Sequence, residues 1–76
     1  MTGRMTGMTR PQRAFYEALG ARLREVRIER RMTQAALGRR LGITGAAISY
    51  WESATHEVSA WKLRELERAL GQRIEP

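Results

Sequence analysis

The side chains able to do chemistry in this 76-residue chain are mostly cationic: thirteen arginines and one lysine stand against eight glutamates, with no aspartate and no cysteine. Ten of the arginines lie in residues 1–40 against three glutamates, whereas residues 41–76 carry four cations against five glutamates. The basic character therefore belongs to the first half. A planar guanidinium fork suits phosphate oxygens and guanine edges, so this composition favours a polyanionic partner, the plainer alternative being a solvated arginine-rich surface. Other chemistries are excluded more firmly. One histidine, His56, cannot build a metal site alone, and without thiols there is neither a disulfide frame nor a thiolate site. No nucleophile–base pair and no phosphate-cradling glycine loop can be found, so no catalytic residue, cofactor or small-molecule ligand is expected.

The elements that must position these cations centre on residues 34–53, QAALGRRLGITGAAISYWES. Leu37, Leu41 and Ile43, then Ile48 and Trp51, give two short apolar stripes at helical spacing, and Gly42 between them can take the left-handed conformation that ends a helix. Gly38 stands inside the first of these helices, where glycine costs roughly 1 kcal/mol relative to alanine. That cost implies a close crossing by another helix. Two short helices, a glycine turn and a small residue at the crossing form the helix-turn-helix pattern.

The rest of the chain supports this unit. Thr9 with Gln12 three residues on, and Pro11 in the first turn, predict a first helix from Thr9 to about Arg31, with Phe15, Leu19, Leu23 and Val26 as its buried stripe. Met32-Thr33…Leu37, Ile43-Thr44…Ile48 and Val58-Ser59…Leu63 repeat one start signal, a hydroxyl cap inside a hydrophobic staple. They predict helices at about 34–41, 45–53 and 60–70, the last stopped by Gly71 and buried through Leu63, Leu66 and Leu70. The expected fold is all-α and compact: four helices, or five if the last residues add a short turn. Domain limits follow as a basic N-terminal arm over 1–8, a domain over 9–71 and a short tail over 72–76. A chain this short buries only about 60% of its unfolded surface, so its margin of stability is small. No apolar run approaches the roughly 20 residues needed to span a bilayer, which implies a soluble, cytoplasmic protein without a membrane partner.

From Leu19 to Gly71 the chain resembles the Cro/repressor-type (Xre) helix-turn-helix family, through TQAALGRRLGI, AISYWE and the closing LRELERALG. The resemblance implies a lambda-repressor-like domain that binds double-stranded DNA, with the third helix in the major groove and the second across the backbone. It implies that Gln34 donates to a phosphate and that Arg27 pairs with Glu52 to fix the third helix on the first; Arg39, Arg40 and Ser53 are the further phosphate contacts expected. The groove-facing residues would be Thr44, Gly45, Ala46, Ala47, Ser49 and Tyr50. Arg4, Arg10 and Arg13 could form a basic arm that wraps a groove, or a simple tail.

Departures from the family pattern temper the expected readout. Not one groove-facing residue is an Arg, Lys, Asn or Gln able to make a bidentate base contact, and each such contact is worth about 1–3 kcal/mol. Alanines can meet thymine methyls, Thr44 and Ser49 can make single hydrogen bonds, and Tyr50 can stack and use its hydroxyl. The loop after the third helix lacks basic residues, its Glu57 would oppose a phosphate, and His56 reads as an exposed loop residue. The family's fifth, dimerising helix would begin where this chain ends. A homodimer would then need another surface, and Trp61 is a candidate anchor unless it folds over its own helix start. The expected function is a sequence-specific transcriptional regulator, a repressor occupying operator DNA, of the kind found in bacteria and phages. Alternatives are a protein-interaction module (antitoxin, adaptor or anti-repressor) and a nonspecific architectural DNA binder.

Overall fold

In the computed structural model, which describes residues 7–76, each helix begins where a hydroxyl side chain can accept from a backbone amide that has no helical partner. Thr9 accepts from the Gln12 amide at 3.3 Å while the Gln12 side chain accepts from the Thr9 amide at 2.9 Å, a complete capping box at the head of α1 (Arg10–Glu29). Thr33, Thr44 and Ser59 accept in turn from the Ala36, Ala47 and Lys62 amides, at 3.0–3.2 Å, and so cap α2 (Gln34–Leu41), α3 (Gly45–Glu52) and α4 (Ala60–Leu70) without the reciprocal bond. Gly42 and Gly71 close α2 and α4 in the left-handed region, at φ 71° and 73°.

α1 stops two residues short of the sequence expectation. Arg30 is its cap, and Arg31 takes the left-handed place at φ 56° that a glycine usually fills. The Met32 amide then donates back to the Arg27 carbonyl at 3.2 Å, which closes the last turn. α3 ends at Glu52 with Ser53 as its cap, one residue before the expected limit.

Leu19, Leu23 and Val26 from α1, Leu37 from α2, Ile48 and Trp51 from α3, and Leu66 and Leu70 from α4 make one core. α2 packs against both α3 and α4, and α1 against α3. Phe15 is a correction to the predicted stripe: it is 46% exposed, and Tyr16 packs on the core instead, with its ring edge-to-face against Phe15. Gly20 and Arg27 are buried on α1 as well, which turns its buried face toward Tyr16, four residues before Gly20 and eleven before Arg27, and away from Phe15. Burial raises the Tyr16 phenol above its ordinary value of 10.0, and the Glu57 carboxylate adds to the shift.

Two glycines sit where backbones meet. A Cβ on Gly38 would lie 2.7 Å from the Ile43 carbonyl oxygen, so the close approach comes from the turn after α2 rather than from another helix, as the sequence suggested. A Cβ on Gly20 would collide with the Trp51 carbonyl and lie 2.6 Å from that of Glu52, which makes Gly20 the crossing point of α1 and α3. The segment read as a tail also returns to the core. Ile74 is buried, its amide donates to Glu67 Oε2 at 3.0 Å, and Gln72 accepts from Arg30 at 2.8 Å.

Candidate nucleic-acid interface

The position of α3 is set from beneath by one carboxylate. Glu52, at the end of α3, is buried and accepts from Arg27 Nε at 2.6 Å, Arg27 Nη2 at 3.1 Å and Gln34 Nε2 at 3.0 Å. Arg27 spends its remaining reach on the Met32 carbonyl, 2.8 Å away. One buried ion pair thus joins α1, the loop before α2, the head of α2 and the end of α3. Such a fork-to-carboxylate pair fixes direction as well as distance.

On the solvent side α3 presents Thr44, Ala46 and Tyr50 as exposed residues, with Ala47 and Ser49 half-buried between them. Gly45 belongs partly to the packing: a Cβ there would meet the Ala35 amide nitrogen at 3.0 Å, so the first turns of α2 and α3 lie side by side. The caps Thr33 and Thr44 take up the Ala36 and Ala47 amides, and the positive dipole end of each short helix favours an anion nearby. Gln34 stands at the head of α2, half-buried. Its amide carries two protons, of which the bond to Glu52 uses one.

The other sequence candidates separate into several places. Arg39 is exposed on α2, whereas Arg40 leans the opposite way and donates to the Ala69 carbonyl of α4 at 3.4 Å. The Ser53 hydroxyl is engaged locally, with the Tyr50 carbonyl at 3.3 Å and the Thr55 hydroxyl at 2.8 Å. Arg10 and Arg13 stand in the first turns of α1, not in an extended arm, because the Thr9 capping box starts the helix ahead of both. Arg4 lies outside the described residues. Trp61 does not fold over its helix: it is 71% exposed beside an open cleft of about 370 Å³ lined by Ala60, Arg64, Glu65 and Arg68.

Sequence reasoning missed the contact between His56 and Tyr50, whose ring centroids are 4.7 Å apart. His56 is half-buried by it rather than exposed, and no periodic signal in a loop could have shown this. Among the described residues no group of three His, Cys, Asp or Glu side chains could hold a metal ion, and no helix is long and apolar enough to cross a membrane.

The family described as helix-turn-helix domain matches residues 18–73 of this chain, which include the α2–α3 pair and its glycine turn. The chain belongs to the helix-turn-helix domain family. This helix-turn-helix protein is similar in structure to the restriction-modification controller protein C.AhdI from Aeromonas hydrophila, with a TM-score of 0.77 and 26% identity over 82% of this chain and 90% of that one. It is also similar to the P22 c2 repressor protein, solved in complex with a synthetic operator in the presence of Tl+, with a TM-score of 0.67 and 37% identity over 71% and 82% of the two chains. The helix-turn-helix protein matches no curated protein by sequence. The all-α, lambda-repressor-like fold and the Cro/repressor-type resemblance are in agreement with these neighbours.

Proposed function

We propose that the protein is a sequence-specific, double-stranded DNA-binding transcriptional regulator, a repressor that acts in the cytoplasm by occupying operator DNA. The observation that carries this reading is the exposed face of α3 beside the head of α2, in a helix-turn-helix domain similar to a repressor solved on its operator. In this reading α3 enters the major groove. Thr44, Ala46, Ala47, Ser49 and Tyr50 face base edges, with Gly45 allowing close approach at the start of the helix. The free proton of the Gln34 amide and the first-turn amides of α2 hold a phosphate, and Arg39 adds a second contact. Arg40 keeps N–H donors beyond the one on the Ala69 carbonyl, whereas Ser53 joins them only by turning its one proton away from the Tyr50 carbonyl and the Thr55 hydroxyl.

Small residues on α3 limit direct readout, so specificity leans on Tyr50 and on the shape of the duplex. Binding as a homodimer would set two half-sites about 34–36 Å apart, one turn of the duplex. Trp61, exposed on α4, is the apolar anchor available to such a dimer. The chemistry is binding only, without catalysis.

Selection from random duplexes at physiological salt tests the proposal. Enrichment of a defined motif is the expected result. Retention without a motif would replace the regulator with an architectural binder, and no retention would move the function to a protein partner.

A further inference from the structure

Tyr50 is the largest side chain on the outer face of α3, 44% exposed, and a phenol at that place has room to swing away from the groove. The loop after α3 prevents this. Ala54 takes a left-handed turn at φ 58° with its methyl buried, and the chain doubles back over the end of the helix. The Thr55 and His56 amides then both donate to the Tyr50 carbonyl, at 2.9 and 3.2 Å. This carries the His56 imidazole against the Tyr50 ring, with centroids 4.7 Å apart and planes tilted by 44°. The two rings form a small satellite contact at the rim of the interface, separate from the core cluster.

We infer that His56 is a positioning residue for DNA recognition: its imidazole fixes the direction of the Tyr50 ring, and so sets the base preference that Tyr50 confers. The inference rests on the reading of Tyr50 as a base-facing residue. An aromatic contact in this offset range is attractive beyond its buried area, and a side chain ordered before binding loses less freedom on binding. His56 is half-buried where Tyr50 is exposed, so its effect passes through the tyrosine. A direct phosphate contact by His56 would instead act on every sequence alike and would appear in the salt dependence.

The test uses the full chain and the duplex recovered by selection, with single-base variants of that duplex. Tyr50→Ala, His56→Ala, His56→Phe and the double alanine variant are compared for affinity, base preference and salt slope, and for the NMR ring-proton shifts of Tyr50 without DNA. His56→Ala is expected to shift the Tyr50 ring signals and to reduce discrimination by about two- to tenfold, as ordering one side chain implies, at the same base positions as Tyr50→Ala. The salt slope is expected to stay unchanged, His56→Phe to restore discrimination, and the double variant to be no worse than Tyr50→Ala. If Tyr50→Ala alters base preference and His56→Ala does not, the inference is overturned while the reading of Tyr50 stands. A uniform loss with a slope lower by about one would make His56 a phosphate contact and overturn it too. If Tyr50→Ala leaves base preference intact, both the reading and the inference fail.

Discussion

Replacing Glu52 with alanine removes the one carboxylate on which Arg27 and Gln34 both end. The guanidinium of Arg27 stays behind with its side chain 10% exposed and only the Met32 carbonyl as partner. Breaking a buried pair by deleting one member costs about 3–5 kcal/mol, because a charge is left uncompensated out of water. A 76-residue domain has a total stability on the order of 4–11 kcal/mol. The variant should therefore lose about a quarter or more of its stability, with a melting temperature lower by about 12–40 °C for a domain of this size. Urea unfolding followed by tryptophan fluorescence reads this directly, since Trp51 is buried against the core. Arg27→Met with Glu52→Leu is the informative partner variant. It removes both charges and fills the space, and should return to within about 1–2 kcal/mol of the parent, since apolar replacement of a buried pair is often neutral. Single variants that each cost less than about 1 kcal/mol, or a double variant equal to the sum of the singles, would refute the claim that this pair fixes α3 on α1.

Further expectations concern the backbone and one ionisable group. Gly20→Ala should destabilise by about 1–3 kcal/mol in urea, despite a helix-propensity gain of about 1 kcal/mol, because its Cβ meets the carbonyls of Trp51 and Glu52 rather than a movable side chain. Arg31→Gly should raise the urea midpoint, since a left-handed non-glycine residue costs about 1–2 kcal/mol and Arg31 is exposed. Tyr16 should titrate above 10.0 when followed by ultraviolet absorbance. Its fold-stabilised form is the neutral phenol, so this contribution is complete below the ordinary value and disappears as pH rises through the raised one. Tyr16→Phe should remove that part of the alkaline loss of stability.

What the sequence revealed is what local chemistry writes into it. Thr33, Thr44 and Ser59 each sit next to the helix they cap, and Gly42 and Gly71 need only their own φ to end one, so α2 and α4 were legible to the residue. The end of α1 was hidden because Arg30 and Arg31 are good helix formers and nothing in their type announces a left-handed turn. Phe15 and Tyr16 stand next to each other, and spacing to Leu19 admits either as the buried ring. Ile74 is a single apolar residue after a stop signal, with no period to betray its burial. At the interface, composition indicated an anionic partner, and the family resemblance supplied the pairing of Arg27 with Glu52. The bond from Gln34 to Glu52 and the His56 ring on Tyr50 depend on how separate segments meet in space, which no spacing rule encodes.

The central claim is that α3 reads DNA while arginines and the head of α2 hold its backbone. Its most direct test is the affinity of the protein for the selected duplex and for a scrambled one, measured across salt concentrations. With about four phosphate contacts, two from each protomer of a homodimer, affinity for the selected duplex should fall on the order of 10²-fold between about 50 and 200 mM salt, and the scrambled duplex should bind more weakly at every point. Affinity independent of salt, or equal affinity for the two duplexes, would contradict it.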